Sequence, residues 1–182
     1  MRLSRISSRF CLPPPHGRPP GVHMSGVIRA ALMAARAWPY EQDGAERSES
    51  SQLSMAVGLA WEDWYGPQIP GVVYHPGALF FEGVWFSPDA LDLDNLVLHE
   101  IKTTTKHEAT PRSVLHWDLQ LRGYLWALGE GEWRRAVLHV LHVGQPPLPE
   151  LRIWEVEYEY EELRDTWKTV LSPFIDRAIP ET

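Results

Sequence analysis

The chain has one cysteine, Cys11, in 182 residues. A lone thiol excludes an internal disulfide and a metal site built from clustered cysteines, and it fits a reducing, cytoplasmic setting. Lysine is scarce too: Lys102, Lys106 and Lys168 stand against 14 arginines, and two of the three fall within five residues of each other. No apolar run approaches the roughly 20 residues needed to cross a bilayer, so no membrane association is expected. The first 23 residues hold no acid and no apolar stretch of the secretory kind. Net positive charge is also missing. At −7, the chain is a poor candidate for a simple electrostatic clamp on nucleic acid. A carboxylate-built metal site remains compatible, being acidic itself.

What is present suits one compact α/β domain: 44% hydrophobic and 11% aromatic residues, at a length that buries a proper core. Residues 1–23 carry Arg2, Arg5, Arg9 and Arg18, with prolines at 13–15, 19 and 20. That composition opposes regular structure. The segment reads as a disordered basic tail, or as sequence upstream of a start at Met24. Without those four basic residues, 24–182 has 13 basic against 24 acidic residues, net −11.

Residues 25–37 read as a helix ending before Pro39, and a second runs from about Ser51 to Tyr65, stopped by Gly66-Pro67. On it Met55, Gly58, Leu59 and Glu62 share a face, expected to pack on a sheet. Residues 78–86 and 95–103, joined through a turn at 92–95, read as an antiparallel pair. A helix over 113–129, strands over 134–143 and 151–158, and a last helix from Tyr160 complete the order. The last helix has an apolar stripe of Leu163, Trp167, Val170, Leu171 and Phe174, with a kink expected at Pro173. Helix, strands, helix, strands, helix implies a mixed β-sheet flanked by helices.

The chemistry concentrates in two short stretches. Asp89 ends the Ser87-Pro88-Asp89 turn, and Glu100-Ile101-Lys102 follows eleven residues later on an apolar strand. Residues i and i+2 of a strand point the same way, so Glu100 and Lys102 share a face while Ile101 points to packing. A hairpin would bring Asp89 to Glu100. Two adjacent carboxylates repel and raise each other's pKa, a conflict that a divalent cation relieves. Hard oxygen ligands beside a lysine suit Mg²⁺, which polarises a phosphate and yields hydroxide from bound water. Lys102 would then orient that water.

These residues resemble the PD-(D/E)XK nucleases: SPD, a turn, then an apolar strand ending in EIKTT. Gly58 to Glu62 resembles the GxxxE helix of the RecB-like and phage (lambda-type) exonuclease branch, and Gln120 to Tyr124 resembles its QxxxY motif. The resemblance covers about residues 51–178. It implies a restriction-endonuclease-like fold and phosphodiester hydrolysis with Mg²⁺ or Mn²⁺. Asp89 and Glu100 would bind the metal, the Ile101 carbonyl would be a further ligand, and Glu62 a ligand or supporting group. Lys102 would assist the attacking water, and Gln120 and Tyr124 would position DNA or the catalytic groups. Relatives with an iron–sulfur cluster use four cysteines, so none is expected here. A DNA exonuclease of recombination or repair is the reading. A structure- or site-specific endonuclease, and an inactive nucleic-acid-binding or structural protein of the same fold, are its alternatives.

Each residue also has a plainer role. Asp89 after a proline suits a turn cap, and Glu100 with Lys102 suits a solvent-facing strand pair. The Tyr124 ring falls on the Trp117, Leu121, Leu128 stripe and belongs to a core. A histidine metal site is disfavoured, because His139 and His142 face opposite sides of a strand and His99 faces away from Glu100. His107 and His116 lie near the site. Lys106, Arg112 and Arg122 are the candidate phosphate contacts. Trp126, with Leu115 and Leu119, marks a contact for a homo-oligomer or a recombination partner protein.

Overall fold

A computed structural model of the chain describes residues 10–11, 19–37, 49–105, 109–143 and 149–178. Its centre is a five-stranded mixed sheet in the order β2 (Val73–Tyr74), β5 (Ala90–Asp92), β6 (Val97–Thr104), β7 (Arg135–His142), β8 (Glu150–Glu157). Only β6 and β7 run parallel. A parallel neighbour needs a crossover, which helix α3 (Leu115–Gly129) provides. A smaller antiparallel sheet holds β1 (Phe10–Cys11), β3 (Ala78–Phe81) and β4 (Val84–Phe86). The sheets are flanked by α1 (Met24–Ala34), α2 (Glu49–Tyr65), α3 and a C-terminal helical run beginning with α4 (Tyr160–Asp165).

Strand alternation gives the central sheet two distinct faces. Across β6 and β7, Glu100 pairs with Leu138 and Lys102 with Val140, while His99 pairs with Val137 and Ile101 with His139. The first set faces α3, whose Trp117 packs with Leu138 and Val140. The second faces α2, whose Tyr65 hydroxyl lies 3.0 Å from His139 Nδ1. The main core forms on the α3 side, where α1, α3 and the C-terminal run meet through Met24, Ile28, Leu121, Leu125, Leu163, Trp167 and Leu171.

Five expectations need correction. Residues 78–86 are two strands, because Glu82 and Gly83 both have positive φ (47° and 87°) and close a tight hairpin. The antiparallel partner of β6 is instead β5, three residues directly after Asp89. Met55 and Leu59 do not pack on the sheet; they are 48% and 56% exposed. Val170 leaves the apolar stripe because residues Thr166–Leu171 form a π-helical segment, and its wider turn rotates that position outward. Trp126 is buried, packed in the core and beside the Tyr160 ring, so it offers no surface to a partner.

Within the segment expected to be a tail, Phe10–Cys11 pairs with Ala78 and Leu79 as a short edge strand. His23 is buried, with its Nε2 2.7 Å from the Pro19 carbonyl oxygen. Residues 1–9 and 12–18 lie outside the described residues.

Candidate active site

The site gathers where the end of α2, the turn before β5, strand β6 and helix α3 converge. Asp89 precedes β5, and its Oδ2 accepts a 2.7 Å hydrogen bond from the backbone N–H of Ile101. That bond ties the turn to the strand residue following Glu100. Glu100 is 1% exposed. Its Oε1 accepts from Lys102 Nζ at 2.5 Å and from Gln120 Nε2 at 2.6 Å. Its Oε2 is buried and makes no hydrogen bond of ordinary geometry among the described residues, the nearby Asp89 backbone N–H easing the carboxylate only in part. An unsatisfied buried acceptor of this kind costs about 1–3 kcal/mol, so it is rare unless something else supplies the partner.

The electrostatics follow from this crowding. Burial pushes the Asp89 carboxyl well above the usual carboxylate range, and the charge of Glu100 adds to it; Glu62 contributes in the same sense. Burial also raises Glu100, against the pull of Lys102. Burial alone would depress the Lys102 ammonium, but Glu100 and Asp89 outweigh it and hold the group charged above the ordinary lysine value. The result is a set of carboxylates from three elements facing one cation.

Glu62 reaches this field from α2, and its Oε1 lies 3.1 Å from His75 Nε2. The approach of the helix depends on Gly58, where an added Cβ would stand 3.1 Å from Thr103 Oγ1. Tyr124 is buried, in edge contact with Phe86, and its hydroxyl donates a long 3.4 Å bond to the Ser87 carbonyl. Burial, then the charge of Glu100, holds its phenol protonated. Ile101 directs its side chain to the opposite face, as alternation requires.

The structure therefore brings Asp89, Glu100, Lys102, Gln120, Tyr124 and Glu62 into one neighbourhood. The phosphate-contact candidates divide differently. Lys106, like His107, lies outside the described residues. Arg112 is exposed, with Nη2 3.4 Å from the Glu157 carbonyl and its guanidinium over the Tyr158 ring. Arg122 faces away from the site and is committed internally, to Asp118 at 2.8 Å, Glu162 at 3.7 Å and Thr166 at 3.3 Å. It sits on the same helix as Gln120, but two residues along a helix is about half a turn, which reverses the direction. His75 is the residue that sequence reasoning missed. It stands 13 positions after Glu62 with no periodic pattern around it, and only the fold brings it to the helix.

Among the described residues, no three His, Cys, Asp or Glu side chains form a ready-made metal cage. The donor set nevertheless fits a hard divalent cation, which commonly takes one or two carboxylates and fills its remaining positions with water. The orphaned Glu100 Oε2 is the open oxygen such an ion would use.

No family model and no curated protein matches the chain. Solved structures do. A phage-related exonuclease from Haemophilus somnus 129PT superposes at a TM-score of 0.53 with 12% identity, over 84% of this chain and 79% of that one. LHK-Exo, solved in complex with dAMP, superposes at 0.51 with 14% identity, over 86% and 87%. At such identities the likeness shows the fold. This chain shares the α/β, restriction-endonuclease-like fold of those two proteins, a mixed sheet flanked by helices.

Proposed function

We propose that this chain is a divalent-metal-dependent DNA nuclease acting as an exonuclease in recombination or repair. The observation that carries the reading is Glu100: a buried carboxylate beside Asp89, with one oxygen fixed by Lys102 and Gln120 and the other making no well-formed hydrogen bond among the described residues. The exonuclease fold of the two solved neighbours supports it.

Asp89, Glu100 and the Ile101 carbonyl are the groups that would hold Mg²⁺ or Mn²⁺, with Glu62 beside them. When bound, the ion supplies a Lewis acid for the phosphate and lowers the pKa of an attacking water. The protein's own groups do the rest. Lys102 carries a permanent positive charge into the pocket and keeps 21% of its side chain exposed, so it can meet a water or a phosphate oxygen. Gln120 fixes the Glu100 carboxylate, and Tyr124 holds the Ser87 carbonyl and with it the turn that presents Asp89. Preorganised groups of this kind stabilise developing charge without reorganising during the reaction. Arg112, and Lys106 two residues past β6, are the candidate contacts to the DNA backbone.

The test is hydrolysis of linear and closed circular DNA with Mg²⁺, with Mn²⁺ and with chelator, for the wild type and Glu100→Ala. Digestion of linear DNA that needs the metal and is lost in the variant is expected. Undiminished digestion in chelator would overturn the metal assignment, and equal cleavage of circles would convert the reading to an endonuclease.

A further inference from the structure

We propose that His75 is a positioning residue that locks Glu62 of α2 to the Asp89 turn, and so sets the divalent-cation affinity of the site. The inference deepens the nuclease reading and rests on it. His75 follows β2 and makes two connections at once. Its backbone N–H donates to the Asp89 carbonyl at 2.9 Å, and its imidazole Nε2 lies 3.1 Å from Glu62 Oε1. No other described hydrogen bond joins the Glu62 side chain to the strand layer, so one residue couples two carboxylates that come from separate elements.

Its surroundings hold it in place. The Tyr74 ring stacks on the imidazole with centroids 3.8 Å apart. The Tyr74 hydroxyl donates to the Glu62 carbonyl at 3.2 Å and reaches Asp63 Oδ1 at 3.5 Å. That ring fits only because residue 66 is glycine: a Cβ there would stand 2.1 Å from Tyr74 Cε2. Strand β2 thus grips the C-terminal end of α2 from two directions. The backbone of His75 is itself unfavourable, at φ +46°. A non-glycine residue at positive φ costs roughly 1–2 kcal/mol. A glycine would fill this position more easily but could not reach Glu62. The imidazole is what the strained conformation obtains. Groups that orient a metal-binding carboxylate typically change metal affinity or activity about 10–100-fold when removed.

Two variants separate the clamp from plain structure. His75→Gly relieves the φ strain and removes the imidazole. His75→Asn tolerates positive φ but is too short to reach Glu62. His75→Gln restores a donor of similar reach. Mn²⁺ binding is measured by calorimetry, and thermal midpoints are taken with and without the ion. The expected result is that Gly and Asn variants melt, without metal, no lower than about 2 °C below wild type, while binding Mn²⁺ at least about tenfold more weakly. His75→Gln should recover most of that affinity. Cleavage by the Gly variant should be restored by raising Mg²⁺, which a role in folding alone would not predict. Wild-type Mn²⁺ affinity in both Gly and Asn variants would overturn the inference while leaving the nuclease reading intact. A wild type that binds no divalent ion at all would overturn that reading and this inference together.

Discussion

From one side of α3, Gln120 reaches Glu100; two residues on, Arg122 reaches Asp118 and the Tyr158 ring. Both clusters bury charge, and they treat it differently. In the second, Asp118 is buried and both of its oxygens are engaged: Oδ1 accepts from the Tyr158 hydroxyl at 2.8 Å, and Oδ2 lies 2.8 Å from Arg122 Nε. The Arg122 contact is ionic, its Nε–H being bent too far for a hydrogen bond. The guanidinium also lies 4.9 Å from the Tyr158 ring centroid. This bracket joins α3, the end of β8 and α4. In the first cluster the carboxylates outnumber the cation, burial and mutual repulsion raise Asp89, and Glu100 Oε2 makes no well-formed hydrogen bond among the described residues. In the bracket an arginine sits directly against Asp118, whereas the site is short of positive charge. The proposed metal would relieve that shortage.

The sharpest way to break the comparison is to neutralise one acid in each cluster. Glu100→Gln keeps the volume and removes the charge. Its cleavage rate should fall at least about 100-fold, the scale of removing one preorganised electrostatic group, with no loss in thermal midpoint. Asp118→Ala should do the reverse. Removing one partner of a buried ion pair costs about 3 kcal/mol, or roughly 6–12 °C in a domain of this length, while activity per folded molecule stays within about twofold of wild type. Denaturant unfolding and single-turnover cleavage of both variants decide it. If Glu100→Gln unfolds easily and Asp118→Ala does not, the roles are exchanged.

A smaller effect sharpens the same contrast through pH. The folded-state pKa of Asp89 is raised, chiefly by burial and then by Glu100. A raised folded pKa contributes stability below the unfolded value of about 3.9, and that contribution disappears as pH rises through the folded pKa. At neutral pH, above the unfolded value, Asp89 therefore costs the metal-free protein stability. Asp89→Asn still offers an oxygen to the Ile101 N–H, and should raise the metal-free midpoint at pH 7 by about 2–4 °C, the equivalent of roughly 1 kcal/mol at this size. The gain should vanish near pH 4. A midpoint that falls at pH 7 would show that Asp89 is stabilised by Lys102 more than burial opposes it.

How far the site was readable from sequence depended on the period of each element. Glu100 and Lys102 were assignable because a strand repeats every two residues and leaves no choice of face. Gln120 and Tyr124 entered through the resemblance to a QxxxY motif, and helical spacing of four put them on one face of a long, well-bounded helix. The 92–95 turn was legible too: Asp92 accepts from the N–H groups of Asp94 and Asn95, the ordinary behaviour of an Asp at a turn. Short elements escaped. The three residues of β5 are too few to show a period, and the aromatic run around Glu82-Gly83 concealed a hairpin. Arg122 was misjudged because its proximity to Gln120 in sequence said nothing about the Tyr158 ring at the end of β8 or about Glu162 of α4, which join Asp118 of its own helix around it. His75 was invisible for a related reason, since its meaning lies in Glu62 and Asp89, which only the fold places around it.

The smallest effects concern two buried tyrosines, one in each cluster. The Tyr158 hydroxyl donates a 2.8 Å bond to the charged Asp118, a short bond to an ionised acceptor. Tyr158→Phe leaves Asp118 Oδ1 without that donor and should cost about 1–2 kcal/mol, with cleavage unaffected. The Tyr124 hydroxyl makes a long 3.4 Å bond to the neutral Ser87 carbonyl and is also met by the Gln120 side chain, while its ring supplies the packing against Phe86. Tyr124→Phe keeps the ring, so its stability should change by less than about 0.5 kcal/mol. What it removes is a hydroxyl on which the charges of Glu100, Lys102 and Asp89 all act. Cleavage should therefore slow by several-fold, roughly the loss of one weak hydrogen bond of about 1 kcal/mol. Chemical unfolding and turnover measured on the same two proteins complete the test. A Tyr124→Phe variant that is as active as wild type would assign the phenol to the core alone. A Tyr158→Phe variant with slowed cleavage would mean that the bracket and the site are coupled through α3.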